Sequence, residues 1–159
     1  MYTEDRIKEK IGPESAVDMD WFFIDHEGCI AFVASGGGLI PDSVEVDTHK
    51  LVSNYLRSLH DISKEVTIDK KILQEASAME EHQKNLFLED LYSITRKGLY
   101  YFDKLQYNNY LDFKYYRKAS PITPITLNNI SKEIAEILSK TFVEGKIPEM
   151  LFFNVNDIS

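Results

Sequence analysis

Two short apolar runs near the N-terminus predict the first strands of the fold. DWFFID and CIAFVAS are rich in aromatic and β-branched residues, which is typical of strands. The segment between them, DHEG at residues 25–28, favours a tight turn, because Asp suits the first turn position and Gly the last. We therefore predict an N-terminal β-hairpin whose second strand, apolar on both faces, lies inside a sheet.

Apolar residues with helical spacing predict the helices. This spacing occurs in residues 48–60, 70–97 and 128–141. Residues 3–10 have few apolar positions and are expected to form a short helix. Asp69 is the expected N-cap of the longest segment and Gly98 its stop. Because apolar positions are sparse in the middle of that segment, we expect two helices with a bend near residues 80–83.

A tyrosine-rich tract predicts a second hairpin. Strands are expected at residues 99–103 and 111–115, with a turn at 106–109, and the proline-containing stretch SPITPIT is expected to be an extended connector. Apolar residues in the last fifteen positions indicate that the tail docks on the core. The predicted fold class is α+β, with an antiparallel sheet formed by the N-terminal and central hairpins and packed with three to four helices. We expect one domain over residues 1–159.

Charge is distributed unevenly along the chain. The formal net charge is −8, from 18 basic and 26 acidic residues. Residues 11–49, the acidic window, contain no Lys or Arg and hold eight acids: Glu14, Asp18, Asp20, Asp25, Glu27, Asp42, Glu45 and Asp47. Such a segment repels phosphate backbones and favours basic partners, although it is also what a solvated acidic face would contain.

Three consecutive glycines, Gly36 to Gly38, stand inside this window and raise the question of a phosphate site. A P-loop requires Lys and Ser or Thr directly after the last glycine, whereas Leu39 follows here, and the spacing of a dinucleotide-binding fingerprint is absent. We interpret the glycines as a strand exit that needs unusual backbone angles or a close approach to another segment.

Other candidate chemistry is sparse in the sequence. The single cysteine, Cys29, lies in an apolar run and is interpreted as a core residue, and the four histidines lack zinc-site spacing. Acids near the first hairpin leave open an acid–base enzyme. The tyrosine tract beside Lys114, Arg117 and Lys118 leaves open base stacking, but sheet packing explains it more simply. We predict no cofactor, no metal, no nucleic-acid binding and no membrane association, and a cytoplasmic location.

The first hairpin also carries a resemblance. Residues 20–41, DWFFIDHEGCIAFVASGGGLIP, resemble a group of small bacterial proteins with the pattern W-F-x-x-D-x-x-G-x-I-A-x-F-x-S-G-G, which this chain matches except at Val33. Some small acidic proteins of this general type resemble immunity proteins of bacterial toxin systems. The pattern brings no activity with it, and the chain departs from the best-known immunity superfamily in the order of elements around its glycine pair. Through the immunity proteins of this general type, the resemblance implies a protein that binds a toxin.

These observations lead to one expectation and its alternatives. We expect a non-enzymatic binding protein, of immunity type, that presents an acidic surface to a basic toxin or other basic protein. The predicted partner-binding residues are Asp18, Asp20, Asp25, Glu27 and Asp42. The first four are expected on the surface without Lys or Arg partners. The alternatives are a small-molecule-binding domain, an enzyme that uses acids near the first hairpin, and a purely structural protein.

Overall fold

A computed structural model describes Thr3 and residues 18–104 and 111–159. Within these residues six strands form one sheet: β1 (Asp20–Ile24), β2 (Ile30–Ala34), β3 (Val66–Ile68), β4 (Tyr100–Asp103), β5 (Lys114–Pro121) and β6 (Phe152–Asn154). The α-helices of the described chain are α1 (Val46–Arg57), α2 (Lys70–Ser77), α3 (Glu81–Arg96) and α4 (Lys132–Leu138). The helix expected at residues 3–10, Thr3 apart, and the turn expected at 106–109 lie outside the described residues.

The sheet confirms the α+β class and corrects its strand arrangement. Strand order is β1-β2-β4-β5-β3, and β6 pairs with the remaining length of β5. The first hairpin is present, with Phe22 opposite Phe32, and β2 lies inside the sheet as predicted. The sheet is mixed, however, because β2 and β4 run parallel. Between these two strands the chain passes through α1, α2 and α3, and such a long crossover can return a strand in the parallel direction.

Both faces of the sheet are covered, which explains why the first two strands are apolar throughout. Phe22 and Phe32 point towards the helices and pack with residues of α1, α3 and α4. Trp21 and Phe23 point to the other face, where the C-terminal tail and the segment after β2 cover them. Strand side chains alternate between faces, so a strand buried on both must be apolar at every position. Within the described residues, no helix is long and apolar enough to cross a membrane.

The predicted start of α2 is confirmed, because its capping residue is close in sequence. Asp69 accepts a hydrogen bond from the backbone of Lys71 at 2.8 Å, as expected of an N-cap, and the predicted bend is a break between α2 and α3. The last helix begins later than predicted, because Ser131 caps it by accepting from the Ile134 backbone at 3.4 Å. A one-turn 3-10 helix occupies residues 127–129 instead.

Two strand positions differ from the prediction because they depend on distant partners. Residues 61–69, for which the sequence pattern predicts no helix or strand, contain β3, which pairs with the second half of β5. β5 itself continues to Pro121, beyond the predicted strand end. Three-residue strands such as β3 carry too little sequence pattern to be recognised without their neighbour.

The C-terminal tail docks on the core as predicted. Its Phe153 lies against the rings of Trp21, Phe23, Phe102 and Tyr115, at centroid distances of 5.9, 4.8, 5.1 and 5.2 Å respectively. Of the tyrosine-rich tract, Tyr100, Tyr101 and Tyr115 are buried in the sheet. The interpretation of the tract as sheet core therefore holds for these residues.

The triple glycine serves backbone geometry. Gly36 and Gly37 adopt positive φ angles of 54° and 77°, which side chains other than glycine rarely adopt. A Cβ on Gly38 would lie 2.6 Å from Lys104 Cδ and 2.7 Å from Tyr115 Oη, so a methyl group has no room there. The loop therefore turns the chain at the end of β2 and lays it directly over two buried side chains.

We predict that alanine substitutions distinguish the two roles of these glycines, which are a positive φ angle at Gly37 and close packing at Gly38. A glycine with neither role serves as the control. Gly37→Ala is expected to lower the free energy of unfolding by about 1 kcal/mol through its left-handed backbone. Gly38→Ala is expected to cost about 1–3 kcal/mol through overpacking. Gly145→Ala is the control, since its nearest contact would be an ordinary 3.8 Å to Met150 Sδ. Urea unfolding measures all three, and equal stabilities for Gly38→Ala and Gly145→Ala would contradict the packing argument.

His49 is a buried histidine whose protonation affects the stability of the fold. The residue lies on α1, only 1% exposed, and its ring stacks on Phe22 with a centroid distance of 6.1 Å. Burial lowers the pKa of His49 below its ordinary value of 6.5, and backbone groups of Glu45 and Phe22 offset this only in part. The folded state therefore holds the imidazole neutral at a pH where the unfolded chain already binds a proton.

We predict that His49 makes the protein less stable as the pH falls below about 6.5. In that range the unfolded state binds more protons, so stability rises with pH and is fully present above the unfolded pKa. His49→Gln should reduce the loss of unfolding free energy between pH 7.5 and pH 5.5, measured by urea titration at each pH. His60→Gln, which changes an exposed histidine, should keep the wild-type dependence. Equal slopes for wild type and His49→Gln would contradict the assignment.

Candidate functional site

The DHEG turn holds one predicted partner-binding residue in the interior. Asp25 is only 3% exposed, so the expectation that it lies on the surface is wrong. Its Oδ1 accepts hydrogen bonds from the backbone N–H groups of Glu27 and Cys29, each at 3.0 Å, and its Oδ2 accepts from that of Ile147 at 2.9 Å. The carboxylate thus closes the turn and fastens a distant segment to it, because buried N–H groups require an acceptor.

Asp20 is also used internally. It forms an ion pair with Arg57 at 2.8 Å and accepts from the Ser53 hydroxyl at 3.0 Å, while Arg57 reaches Asp90 at 3.1 Å. Burial alone would lower the pKa of Arg57, but the hydrogen bonds and charges of the two aspartates raise it. The expectation that Asp20 lacks a basic partner is therefore wrong, and the reason is a contact between residues 37 positions apart.

The acidic window divides between the two ends of the first hairpin. Helix α1 starts near the turn end and runs to the other end, since His49 stacks on Phe22 and Arg57 reaches Asp20. Asp18 is exposed beside Asp20, away from the turn. The end of the hairpin at the DHEG turn is a separate surface. The five predicted residues therefore do not form one cluster.

Exposed carboxylates gather at the turn end. The chain at residue 43 is held there, because Ser43 Oγ lies 3.1 Å from Thr141 Oγ1, and the Thr141 carbonyl accepts from Ile24. Residues 141–143 run beside Ile24, which brings Glu144 to the same place. We call this surface the acidic end, and define it by five exposed acids: Glu27, Asp42, Glu45, Asp47 and Glu144.

The Glu27 side chain of the acidic end is open to solvent although it has a basic neighbour. Glu27 forms an ion pair with Lys146 at 3.7 Å, so the expectation that it has no basic partner is wrong; the two side chains are 60% and 59% exposed. A pair this exposed contributes little and is screened by salt. Glu144 could not be assigned from the sequence, since it lies almost 100 positions after the acidic window and joins it only through strand-like pairing with β1.

The remaining chemistry near the turn does not favour catalysis. Cys29 is buried, and burial, followed by the charges of Asp25 and Glu27, raises the pKa of its thiol to about 11. The thiol is therefore protonated at neutral pH and is not an activated nucleophile. His26 is exposed and packs edge-on against Phe142, with a centroid distance of 5.7 Å. Among the described residues, no group of three His, Cys, Asp or Glu side chains is arranged to hold a metal ion.

Comparison of the chain with family models, with curated proteins and with solved structures finds no match in any of the three. The resemblance of residues 20–41 to a bacterial sequence pattern therefore stays a prediction.

We predict that Asp25 is a structural residue. Asp25→Asn keeps the shape of the side chain but replaces one accepting oxygen with a donating amide nitrogen, so a buried N–H group loses its acceptor. The expected loss of unfolding free energy is about 2 kcal/mol. Glu27→Gln, two residues away and exposed, should change it by less than about 0.5 kcal/mol. Urea unfolding with an unchanged m-value tests both, and a loss below 0.5 kcal/mol for Asp25→Asn would show that the turn does not need the carboxylate.

Proposed function

We propose that this protein is a non-enzymatic binding protein that presents the acidic end to a basic protein partner, in the manner of an immunity-type inhibitor. The observation that carries the proposal is that three segments with exposed carboxylates are attached at the same end of the first hairpin: the DHEG turn, the start of α1 and the segment after α4. Of the predicted partner-binding residues, Glu27 and Asp42 belong to this surface, and Glu45, Asp47 and Glu144 join them.

The scaffold beneath the acidic end is well fixed, which favours recognition. Asp25 ties the turn to Ile147, and Ser43 and Thr141 tie the start of α1 to the segment after α4. Charges held on a fixed scaffold lose little conformational entropy when a partner binds. Loops placed on a rigid framework are also the usual location of binding residues.

Electrostatics determine what kind of partner would suit this surface. The net charge of −8 repels other acidic molecules and attracts basic ones over several ångströms. Complementary charge mainly accelerates association and sets specificity, with smaller effects on the affinity itself. A toxin domain with a basic binding face meets this requirement, and the resemblance of residues 20–41 to small bacterial proteins supports an immunity role.

The proposal is tested by association kinetics with a defined partner. If a neighbouring gene encodes a basic protein, that protein is the first partner to test, by surface plasmon resonance between about 50 and 500 mM salt. The variant Glu27→Lys/Asp42→Lys should bind at least about tenfold more slowly than wild type at low salt. The difference should shrink at high salt, because the Debye length falls to a few ångströms.

A matched control reverses two exposed carboxylates away from the acidic end. Asp18→Lys/Glu89→Lys makes the same change in net charge near the opposite end of the hairpin, where Asp20 and Asp90 share Arg57. This variant should associate much faster than Glu27→Lys/Asp42→Lys. Thermal unfolding should show both variants folded. If the two variants slow association equally, net charge alone explains the effect and the assignment of this surface is wrong. If the wild-type protein does not bind at all, the tested protein is not its partner.

A further inference from the structure

A cleft of about 510 Å³ opens at the opposite edge of the sheet from β1. It forms where β3 and β6 meet end to end along one side of β5: β6 pairs with residues 114–116 and β3 with residues 119–121. At the junction the Arg117 N–H donates to the Leu151 carbonyl and the Lys118 carbonyl accepts from the Asp69 N–H, at 2.8 and 3.0 Å. Clefts of a few hundred cubic ångströms are the usual size of small-molecule sites.

The strand under the cleft is irregular at this point. Tyr101 lies opposite Ala119 and Phe102 opposite Arg117, so Lys118 is the extra residue of a β-bulge. Bulges redirect a side chain out of the regular alternation and are frequent beside functional sites. Here the bulge belongs to a residue that lines the cleft and carries a positive charge.

One wall of the cleft is apolar and exposed. Phe152 and Leu151 are 53% and 68% exposed, although most large apolar side chains of the described strands are buried. Tyr116 stands beside Phe152, with a centroid distance of 6.1 Å and a tilt of 39° between the rings. The exposed Phe152 ring, with Tyr116 beside it, gives a planar ligand an aromatic surface on which to stack.

Lysine side chains surround this wall. Lys118 Nζ lies 5.9 Å from the centre of the Tyr116 ring, and Lys114 Nζ lies 5.4 Å from that of Phe152. Lys71 lines the cleft from α2. None of the ion pairs among the described residues includes these three lysines. Their ammonium groups are therefore available to an anion.

The other charged residues of the cleft leave the balance positive. Asp69 and Glu75 also line it, but one oxygen of Asp69 is already engaged as the cap of α2. Arg117 borders the cleft and is tied by its guanidinium to the Pro148 carbonyl at 2.7 Å. The basic residues Lys71, Arg117 and Lys118 thus outnumber the two acids that line the cleft, in a chain that is acidic overall.

We propose that this cleft binds a small organic anion in which a carboxylate or phosphate group is carried on a flat aromatic ring. The ring stacks on Phe152 and Tyr116, and the anion is held by Lys118 with Lys71 and Lys114. This site lies on a different strand pair from the acidic end and does not depend on the proposed partner.

The test is NMR titration of the full chain with four probes. The probes are 2-naphthoate, 2-naphthyl phosphate, neutral 2-naphthylmethanol and a single-stranded dT oligonucleotide. We expect 2-naphthoate or 2-naphthyl phosphate to shift backbone amides of residues 67–75, 116–120 and 151–152 with a Kd of about 1 mM or tighter. The neutral alcohol should bind about tenfold more weakly. The stronger of the two anions identifies the preferred head group.

Matched variants locate the binding energy. Lys118→Gln should weaken the preferred anion about tenfold and leave the alcohol unchanged, and Phe152→Ala should weaken all the naphthyl ligands. The controls are Lys140→Gln, an exposed lysine outside the cleft, and Leu86→Ala, which is 55% exposed and so resembles Phe152 in burial. Neither control should change the affinity.

Several results would overturn the proposal. These are no amide shifts at 5 mM probe, shifts outside the cleft, equal affinity for the alcohol, or an unchanged affinity in Lys118→Gln. Tighter binding of the oligonucleotide at the same residues would also overturn it and would assign the cleft to single-stranded nucleic acid. Failure here leaves the acidic end untouched, since its kinetic test uses different residues and a different ligand.

Discussion

The packing of Phe153 is the interaction on which most of the structure depends. Its ring contacts aromatic rings on β1, β4 and β5, so one tail residue packs against three strands on this face of the sheet. Burial of an aromatic side chain of this size is among the largest single contributions to folding. Because Phe153 points inward, its neighbour Phe152 must point outward from the same strand, which places an exposed ring at the cleft.

The same docking of the tail also organises the acidic end. The chain crosses from α4 to β6 over the turn of the first hairpin, where Ile24 pairs with Phe142 and Asp25 accepts from Ile147. Glu144 lies between these two attachments and therefore adds its carboxylate to those of the acidic window. The buried Asp25 thus helps to position the acidic end, although its own carboxylate is not part of that surface.

Charge in the folded chain is separated by the width of the sheet. The acidic end lies at β1, and Lys118 of the cleft lies on β5, three strand spacings or about 15 Å away. At physiological salt this distance exceeds the Debye length, so the two surfaces act independently. Binding of the proposed basic partner at one edge would therefore leave the cleft at the other edge accessible.

The sequence by itself determined the elements whose signals are local. The first hairpin follows from apolar runs around an Asp–Gly turn, and the break between α2 and α3 follows from sparse apolar positions after the cap at Asp69. The interior position of β2 also follows, because a strand that is apolar on both faces must be covered on both. These features depend on residues only a few positions apart, and their period or turn chemistry is visible in any window that contains them.

Only the tertiary structure decided which acids are exposed and where a cleft opens. Asp25 and Glu27 are almost identical in sequence context, yet one is buried because Ile147, 122 positions away, donates to it. The cleft requires β3 and β6 to meet along β5, and each of them is a three-residue strand with no readable pattern. The physical reason is the same in both cases: pairing between distant segments is set by the packing of the whole core, which no local window contains.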